Sequence, residues 1–171
     1  MTEQVPDICV YDGREWVVEE SDDLYQCVPT SEELGFTTTS TSTANWSGRI
    51  DHYLVFKDQL YLFKVEVNLP DDQRDLVPAG ARREVRYLYE PRKRTSDHGM
   101  TNYVQVHERR FFIYDDLNID YSGELLLSYP TGDVWGYPWP LNENDIEPCA
   151  EATLRFCQGR LESTDYMSAD D

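Results

Sequence analysis

The segment from Thr41 to Val67 limits the fold more than any other part of the chain, because its apolar and polar residues alternate. A period of two residues is that of a β-strand, whereas a helix repeats about every 3.6 residues. The segment therefore predicts a β-hairpin that is entered through Trp46-Ser47-Gly48 and turns at Asp58-Gln59. The alternating apolar residues are Tyr53, Val55, Leu60, Leu62 and Val65.

The rest of the chain contains similar strand and turn patterns. Asp12-Gly13 joins two short strands within residues 8–20, and this dipeptide suits both central positions of a type I′ turn. Gln158-Gly159 predicts another tight turn within residues 151–166. Further strands are predicted at residues 84–90, 102–107 and 109–114. We expect a mainly β protein, either a single antiparallel β-sandwich or a partly open barrel, with one or two short helices.

Helices and loops are predicted from capping and turn residues. Residues 29–33 offer one helical turn under a Thr or Ser cap, and residues 142–147 offer another under Asn142. Residues 37–43 fit either a polar strand or an extended loop. Residues 91–101 are predicted to be a long exposed loop or hairpin tip, and loops of that length are uncommon unless they are mobile or functional.

The chain length of 171 residues predicts one domain with a real core. We expect this domain to cover residues 1–162 and the acidic tail, residues 163–171, to fray. No targeting signal is apparent, and no apolar run approaches the roughly 20 residues that cross a bilayer, so we expect a cytoplasmic protein with no membrane contact. Cys9, Cys27, Cys149 and Cys157 lack CxxC spacing, which favours buried, reduced thiols over a zinc site or disulfides.

Two pairs of segments resemble each other. Residues 45–50 and 120–125 share an acid or amide, an aromatic residue, Ser-Gly, a charge and an aliphatic residue. Residues 53–67 and 151–166 share Leu-x-Phe before a tight turn and Leu after it. The pattern fits either a two-fold internal repeat or unrelated hairpins with the same turn chemistry.

Charge is distributed unevenly along the chain, whose formal net charge is -18. Residues 1–73 carry a net charge of -11, residues 74–110 carry +4, and residues 111–171 carry -11. The central basic segment either pairs with acidic residues across a sheet or forms an anion-binding patch. The acidity fits a surface for a basic partner, a composition adapted to a salty cytoplasm as in halophiles, or ordinary acidic solubility.

The motif Thr43-Ala44-Asn45-Trp46-Ser47-Gly48 resembles the core of a family of small bacterial proteins that have no assigned activity. That family continues with a strand pair ending Leu-Tyr-Leu, as in residues 60–62 here, then Tyr-Ser-Gly-x-Leu and Phe-x-x-Gly-x-Leu, as in residues 121–125 and 156–161. The resemblance implies a compact β-rich domain. Ser47 stands where the family has Arg, and Arg49 where it has an aromatic residue.

Catalytic and metal-binding patterns are weak in this sequence. His52, His98 and His107 each adjoin an acidic residue, but neighbouring strand residues point to opposite faces, and the spacings match no zinc motif. No GxSxG, P-loop or GxGxxG motif occurs. We predict no catalytic residue, no metal and no cofactor. The aromatic residues that either line a ligand platform or seal the core are Trp46, Trp135, Tyr137 and Trp139.

The leading hypothesis is therefore a non-enzymatic interaction protein, such as an immunity protein or an inhibitor, whose acidic surface binds a basic protein partner. The net charge opposes direct binding to nucleic acid, and the sequence does not predict an oligomeric state. The alternatives are a small enzyme or ligand-binding domain with a pocket near Trp46, Arg49 and His52, and a salt-adapted protein with another role. The candidate binding residues are Asn45, Trp46, Arg49, His52, Arg92, Lys93 and Arg94.

Overall fold

The computed structural model describes residues 6–19, 21–39, 48–96, 99–128 and 149–168. Within these residues the secondary structure consists of short helices and nine strands. The elements are β1 (Ile8–Tyr11), β2 (Arg14–Val18), α1 (Asp22–Cys27), α2 (Ser31–Leu34), β3 (Arg49–Phe56), β4 (Gln59–Val67), a 3-10 helix (Asp71–Gln73), β5 (Ala81–Ser96), β6 (Gly99–Tyr114), β7 (Gly123–Ser128), β8 (Cys149–Cys157) and β9 (Arg160–Ser168).

Seven of the strands form a closed β-barrel, in the order β3-β1-β2-β7-β8-β9-β4, and β4 returns to pair with β3. The β1–β3 pair is parallel and the other pairs are antiparallel. The predicted mainly β fold with a barrel and short helices is confirmed. The alternation in the sequence explains this result, because one face of each strand supplies the barrel interior. Its largest buried side chains include Trp16, Tyr53 and Phe112.

Two hairpin turns meet where the barrel closes. Gln59 of β4 pairs with Arg160 of β9. The amide of Leu60 donates to the carbonyl of Gly159 at 2.9 Å, and the amide of Leu161 donates to the carbonyl of Asp58 at 2.7 Å. The predicted turns at Asp12-Gly13 and Gln158-Gly159 are present with positive φ angles. The predicted turn at Asp58-Gln59 is wrong by one residue, because Lys57 and Asp58 take the positive φ angles of 50° and 63° and Gln59 already pairs with Phe56.

The helical prediction was incomplete. α2 begins after Thr30, whose hydroxyl accepts from the amide of Glu33, as the predicted cap requires. α1, which we did not predict, begins after Ser21, whose hydroxyl accepts from the amide of Leu24. Leu24 packs in the barrel core, so tertiary burial stabilises a helix of only six residues. The predicted helical turn at residues 142–147 lies outside the described residues. Among the described residues, no helix is long and apolar enough to cross a membrane.

β5 and β6 form a long hairpin, residues 81–114, that we call the arm. Each strand has 16 residues, and the strands pair from Ala81↔Tyr114 out to Ser96↔Gly99. Residues 91–101, predicted as a long loop or a hairpin tip, form the tip of this hairpin, and the strands continue into it as far as Ser96 and Gly99. Pro91 is tolerated there because β5 is the edge strand of this sheet.

Several other boundaries also differ from expectation. β9 continues to Ser168, past the predicted start of a frayed tail at residue 163, because it pairs with β8 as far as Cys149. The two similar Ser-Gly segments precede different elements, since Gly48 leads into the β3–β4 hairpin and Gly123 leads into β7. Residues 53–67 and 151–166 both lie in antiparallel hairpins, and residues 45–47 lie outside the described residues, so the two-fold internal repeat stays a prediction.

The described thiols do not all match the prediction of buried cysteines. Cys9 is buried, and burial raises the pKa of its thiol to about 12. Cys27 and Cys157 are free but exposed, so the predicted burial is wrong for both. Cys157 is exposed because Phe156 before it takes the inward-facing position of β8. The side chain of Cys149 lies outside the described residues.

Candidate functional site

The structure separates the residues that we predicted as a binding site. Asn45 and Trp46 lie outside the described residues, as do the other aromatic residues of the suggested ligand platform. Arg49 and His52 are both on β3, but they contact different groups on opposite faces of the strand. Arg92, Lys93 and Arg94 belong to β5 in the arm. Arg49 and His52 therefore do not line one common pocket.

Arg49 belongs to a buried polar group at one end of the barrel interior. Its Nε donates to Oδ1 of Asp51 at 2.6 Å and its Nη2 donates to Oδ2 at 3.3 Å. Its Nη1 donates to the hydroxyl of Ser31 on α2 at 3.2 Å. The hydroxyl of Tyr53 donates to Oδ2 of Asp51 at 3.3 Å. Asp7 completes the group, which we call the Arg49 cluster, by accepting from the amide of Asp51 at 2.8 Å.

The parallel pairing of β1 with β3 brings this cluster together. Ile8 pairs with His52, so Asp7 lies beside Asp51 although the two residues are 44 positions apart in sequence. The alternation that puts Tyr53 in the core also puts Asp51 and Arg49 on the inner face of β3. That alternation was a usable signal for Asp51. Nothing local indicated Asp7, because its position depends on a pairing between distant strands.

The Arg49 cluster contains two carboxyl groups, those of Asp7 and Asp51, and one guanidinium group, that of Arg49. Burial, with the nearby charge of Asp51, raises the pKa of Asp7 to about 8, although Arg49 and the hydrogen bond from the Asp51 amide oppose this shift. Burial and the negative charge of Asp51 likewise raise the pKa of Tyr53. The cluster therefore holds an ion pair between Arg49 and Asp51 beside a protonated Asp7 at neutral pH.

The substitution Asp7→Asn tests this protonation state. The folded-state pKa of Asp7 lies above its unfolded value of about 3.9, so the folded protein binds the extra proton between about pH 4 and pH 8 and loses stability as the pH rises through that range. Asparagine removes this dependence and keeps the acceptor for the Asp51 amide. We expect urea unfolding to show that the free energy of unfolding of the variant, relative to that of the wild type, rises by about 1.4 kcal/mol for each pH unit across this range. Asp12→Asn, in an exposed turn, is the control, and identical pH dependence of wild type and Asp7→Asn would contradict the assignment.

His52 lies on the outer face of the barrel in an aromatic environment. Its ring meets the edges of Phe63 and Phe111, with centroids 6.3 and 6.1 Å away. Its Nε2 is buried and has no hydrogen-bond partner among the described residues. Burial, together with the positive charges of Lys64 and Arg109, lowers the pKa of His52 to about 3. His52 is therefore neutral and covered, which is unsuited to proton transfer with a substrate.

The lowered pKa of His52 also predicts how the stability of the protein changes in acid. Its folded-state pKa lies below the unfolded value of about 6.5, so its contribution to stability is present above that pH and is lost as the pH falls toward 3. We expect His52→Leu to abolish this loss. The free energy of unfolding of the variant minus that of the wild type should therefore be about 2 kcal/mol larger at pH 5 than at pH 7. Chemical denaturation at the two pH values measures the difference. An unchanged difference would show that His52 is protonated in the folded protein.

Three cations surround Phe111 where the arm leaves the barrel. The side-chain charges of Lys64, Arg109 and Arg86 lie 4.8, 5.2 and 5.6 Å from the centre of its ring. Arg109 is held by both carboxylate oxygens of the buried Glu66, at 2.6 and 2.8 Å. These contacts tie the barrel end of β6 to β4.

Ion pairs engage many cations of the basic segment. The partners belong partly to the segment itself, as in Arg86–Glu84 at 2.9 Å, and partly to its flanks, as in Arg82–Asp115 at 2.8 Å. The other pairs are Arg74–Glu108, Arg83–Asp75 and Arg110–Glu108. For the part of the basic segment near the barrel, this arrangement favours pairing with acidic residues over an anion-binding patch. The side chains of Arg92, Lys93 and Arg94 lie outside the described residues.

The acids of α1 and α2 differ from those near the arm. Asp22, Asp23, Glu32 and Glu33 are exposed in the first turns of the two helices. Within the described part of the chain none of the four forms an ion pair. We call these residues the acidic helix surface. Both helices adjoin the Arg49 cluster, since Ser31 of α2 contacts Arg49 and Tyr25 of α1 hydrogen-bonds with Asp7.

Metal coordination finds no support in the described ranges, where no three His, Cys, Asp or Glu residues are grouped suitably for a metal ion. His98 and the side chain of His107 lie outside those ranges. No protein family matches the chain, and neither a curated protein nor a solved structure matches it significantly. The resemblance to the small bacterial family therefore stays a prediction.

Proposed function

We propose that this protein is a non-enzymatic interaction protein that binds a basic protein partner through acidic residues outside the arm, as immunity proteins and inhibitors do. One observation carries the proposal, namely how the charge is divided over the architecture. The arm has 8 basic and 4 acidic residues, a net charge of +4, while the remainder of the chain has 7 basic and 29 acidic residues, a net charge of -22.

The acidic helix surface is the part of the barrel that we propose as the contact. Its carboxylates are exposed and form no described ion pairs, so they stay available to lysine and arginine side chains of a partner. A surface of one charge sign also accelerates encounter with a partner of opposite sign, because long-range attraction steers diffusion. The helices are anchored through Leu24 in the core and Ser31 in the Arg49 cluster, which fixes the carboxylates in place.

The chemistry of the buried groups favours binding over catalysis. Arg49, Asp51 and Tyr53 satisfy one another inside the barrel, and His52 is neutral and covered on the outer face. The rival function, a ligand pocket that joins Trp46, Arg49 and His52, would need the last two side chains on one face of β3. An interaction surface requires no such convergence.

Association with a cationic probe tests the proposal. We expect stopped-flow binding of a fluorescent ten-residue polylysine peptide to slow at least tenfold between 20 and 200 mM KCl, because salt screens exposed charges. The quadruple variant Asp22→Asn, Asp23→Asn, Glu32→Gln and Glu33→Gln should slow it further at low salt.

The control variant removes the same number of charges elsewhere, at Asp71, Asp72, Glu162 and Asp165, with the matching amides. These four acids are exposed and belong to the 3-10 helix and β9, outside α1 and α2. We expect this control to retain most of the association rate. Equal rates for the two variants would overturn the acidic helix surface as the contact, and a rate that does not respond to salt would overturn the proposed mode of binding.

A further inference from the structure

Lys64 and His52 are neighbours on the outer face of the barrel, and both present nitrogen atoms without a polar partner in the described part of the chain. The two residues pair across β3 and β4, so their side chains project from the same face. The Nε2 atom of His52 is buried and unpartnered. The ammonium group of Lys64 forms none of the described ion pairs. Buried polar groups without partners are costly, so each one requires an explanation.

We propose that Lys64 and His52 form a binding site for a small carboxylate ion, which accepts one hydrogen bond from the ammonium group of Lys64 and one from Nε2–H of His52. A neutral imidazole carries its proton on one nitrogen, and a carboxylate oxygen beside Nε2 selects the tautomer that donates from that atom. The hydrogen bond from the ammonium group is charge-assisted and therefore stronger than one between neutral groups. A bound carboxylate thus supplies an acceptor to both nitrogen atoms.

The charges around Lys64 favour an ion with one negative charge. Two other cations lie beside the same aromatic ring, but both are paired. Arg109 donates to the carboxylate oxygens of Glu66 at 2.6 and 2.8 Å, and Arg86 lies 2.9 Å from Glu84. Once these pairs are set aside, one positive charge remains that contacts no carboxylate among the described residues. It matches a carboxylate better than a phosphate, which carries a larger negative charge.

The rings of Phe63 and Phe111 contact both nitrogen groups. The ammonium group of Lys64 lies 5.7 and 4.8 Å from the two ring centres, and the imidazole centre of His52 lies 6.3 and 6.1 Å from them. Lys64 and Phe63 are partly exposed, so a small ion approaches His52 from their side. An alkyl group on that ion packs against Phe63 while its carboxylate faces the nitrogen atoms. The site therefore suits a short-chain carboxylate such as acetate.

Binding should depend on pH through Lys64. The charged residues that act on its amine from neighbouring strands are Arg86, Arg109, Glu15 and Glu84. Burial lowers the pKa of Lys64 and the two arginines add to this effect, while the two glutamates oppose it. The carboxylate binds the protonated amine, so its affinity falls as the pH rises through that pKa. The pKa of His52, lowered by burial to about 3, keeps the imidazole neutral at and above neutral pH.

Nuclear magnetic resonance titration of the full chain with acetate tests the site. At a constant ionic strength of about 150 mM, salt screens the long-range repulsion from the net charge of -18. We expect acetate, but not the neutral acetamide, to shift the imidazole nitrogen signals of His52. Lys64→Met keeps the apolar stem and should raise the dissociation constant at least tenfold. The control Lys57→Met removes an exposed lysine that lies 5.4 Å from the ring of Phe56, and it should leave the constant unchanged.

The outcomes decide the inference without reference to the proposed function, on which it does not rest. In the acetate complex the nitrogen shifts should show the His52 proton on Nε2. A proton on Nδ1, no shift in 100 mM acetate, or equal dissociation constants for the two lysine variants overturns the site. Circular dichroism confirms folding. If Lys64→Met does not fold, saturating acetate must slow reductive methylation of Lys64 in the wild type relative to that of Lys57, or the inference fails. None of these results depends on the polylysine experiment.

Discussion

Replacing Arg49 with methionine will destabilise the protein by about 3–5 kcal/mol, because it leaves the carboxylate of Asp51 buried without its counter-ion. The ion pair has a distance of 2.6 Å, and Asp51 is only 6% exposed, so water cannot replace the guanidinium group. Urea unfolding at pH 7 measures the loss. The effect is large because breaking one half of a buried pair costs more than the intact pair contributes.

A second substitution separates burial of charge from loss of packing. In the double variant Arg49→Met with Asp51→Leu no buried charge remains, and we expect it to recover at least half of the lost stability. Arg49→Lys keeps the positive charge but loses the two-pronged contact with Asp51, and it should cost less than Arg49→Met. If the double variant is less stable than Arg49→Met, packing rather than charge explains the cluster.

Gly159→Ala will destabilise the protein by about 3 kcal/mol or more, because it combines backbone strain with a steric clash. Gly159 has a φ angle of 80°, which disfavours any side chain. A Cβ atom there would also overlap the carbonyl oxygen of Ile119 and lie 2.6 Å from Nε2 of Gln59. Gln59 is on β4 and Ile119 is in the segment between β6 and β7 that hydrogen-bonds to β4, so the clash would push the β8–β9 turn away from β4 at the seam.

Gly13→Ala provides the matched control for this seam. Gly13 has a similar φ angle of 74° in the β1–β2 turn, but a Cβ atom there would meet nothing within 4 Å. We expect it to cost only the strain of the left-handed conformation, about 1–2 kcal/mol. The difference between the two glycine variants in thermal or urea unfolding therefore measures the close approach at the seam. Equal costs would contradict a barrel that closes through this contact.

The sequence predicted those parts of the fold that depend on local periodicity. The turn at Asp12-Gly13 and the inward position of Tyr53 follow from dipeptide chemistry and alternation, and both are correct. α1 was missed because its six residues show little apolar periodicity and are stabilised by the burial of Leu24. Residues 91–101 were left open between a loop and a hairpin tip because the polar residues around Pro91 show no apolar alternation, and the structure shows the hairpin tip.

The candidate site was less accessible to sequence reasoning, because it depends on distant strands. Arg49 was predicted as a binding residue, but the carboxyl groups that hold it come from Asp51 and from Asp7, which only the parallel β1–β3 pairing brings near. His52 was predicted for the same pocket, although a separation of three residues in a strand puts it on the opposite face. The basic segment was recognised by counting charges, yet its form as an arm required the structure.

We propose that the surplus carboxylates serve contact with a partner and are not required as a hydration shell for folding. Thermal unfolding in KCl from 50 mM to 3 M tests it most directly. We predict a cooperative transition from a folded state at every salt concentration, with a modest rise in Tm as repulsion among carboxylates is screened. A chain that is unfolded in 50 mM KCl and folds only in molar KCl would contradict the claim and indicate adaptation to salt.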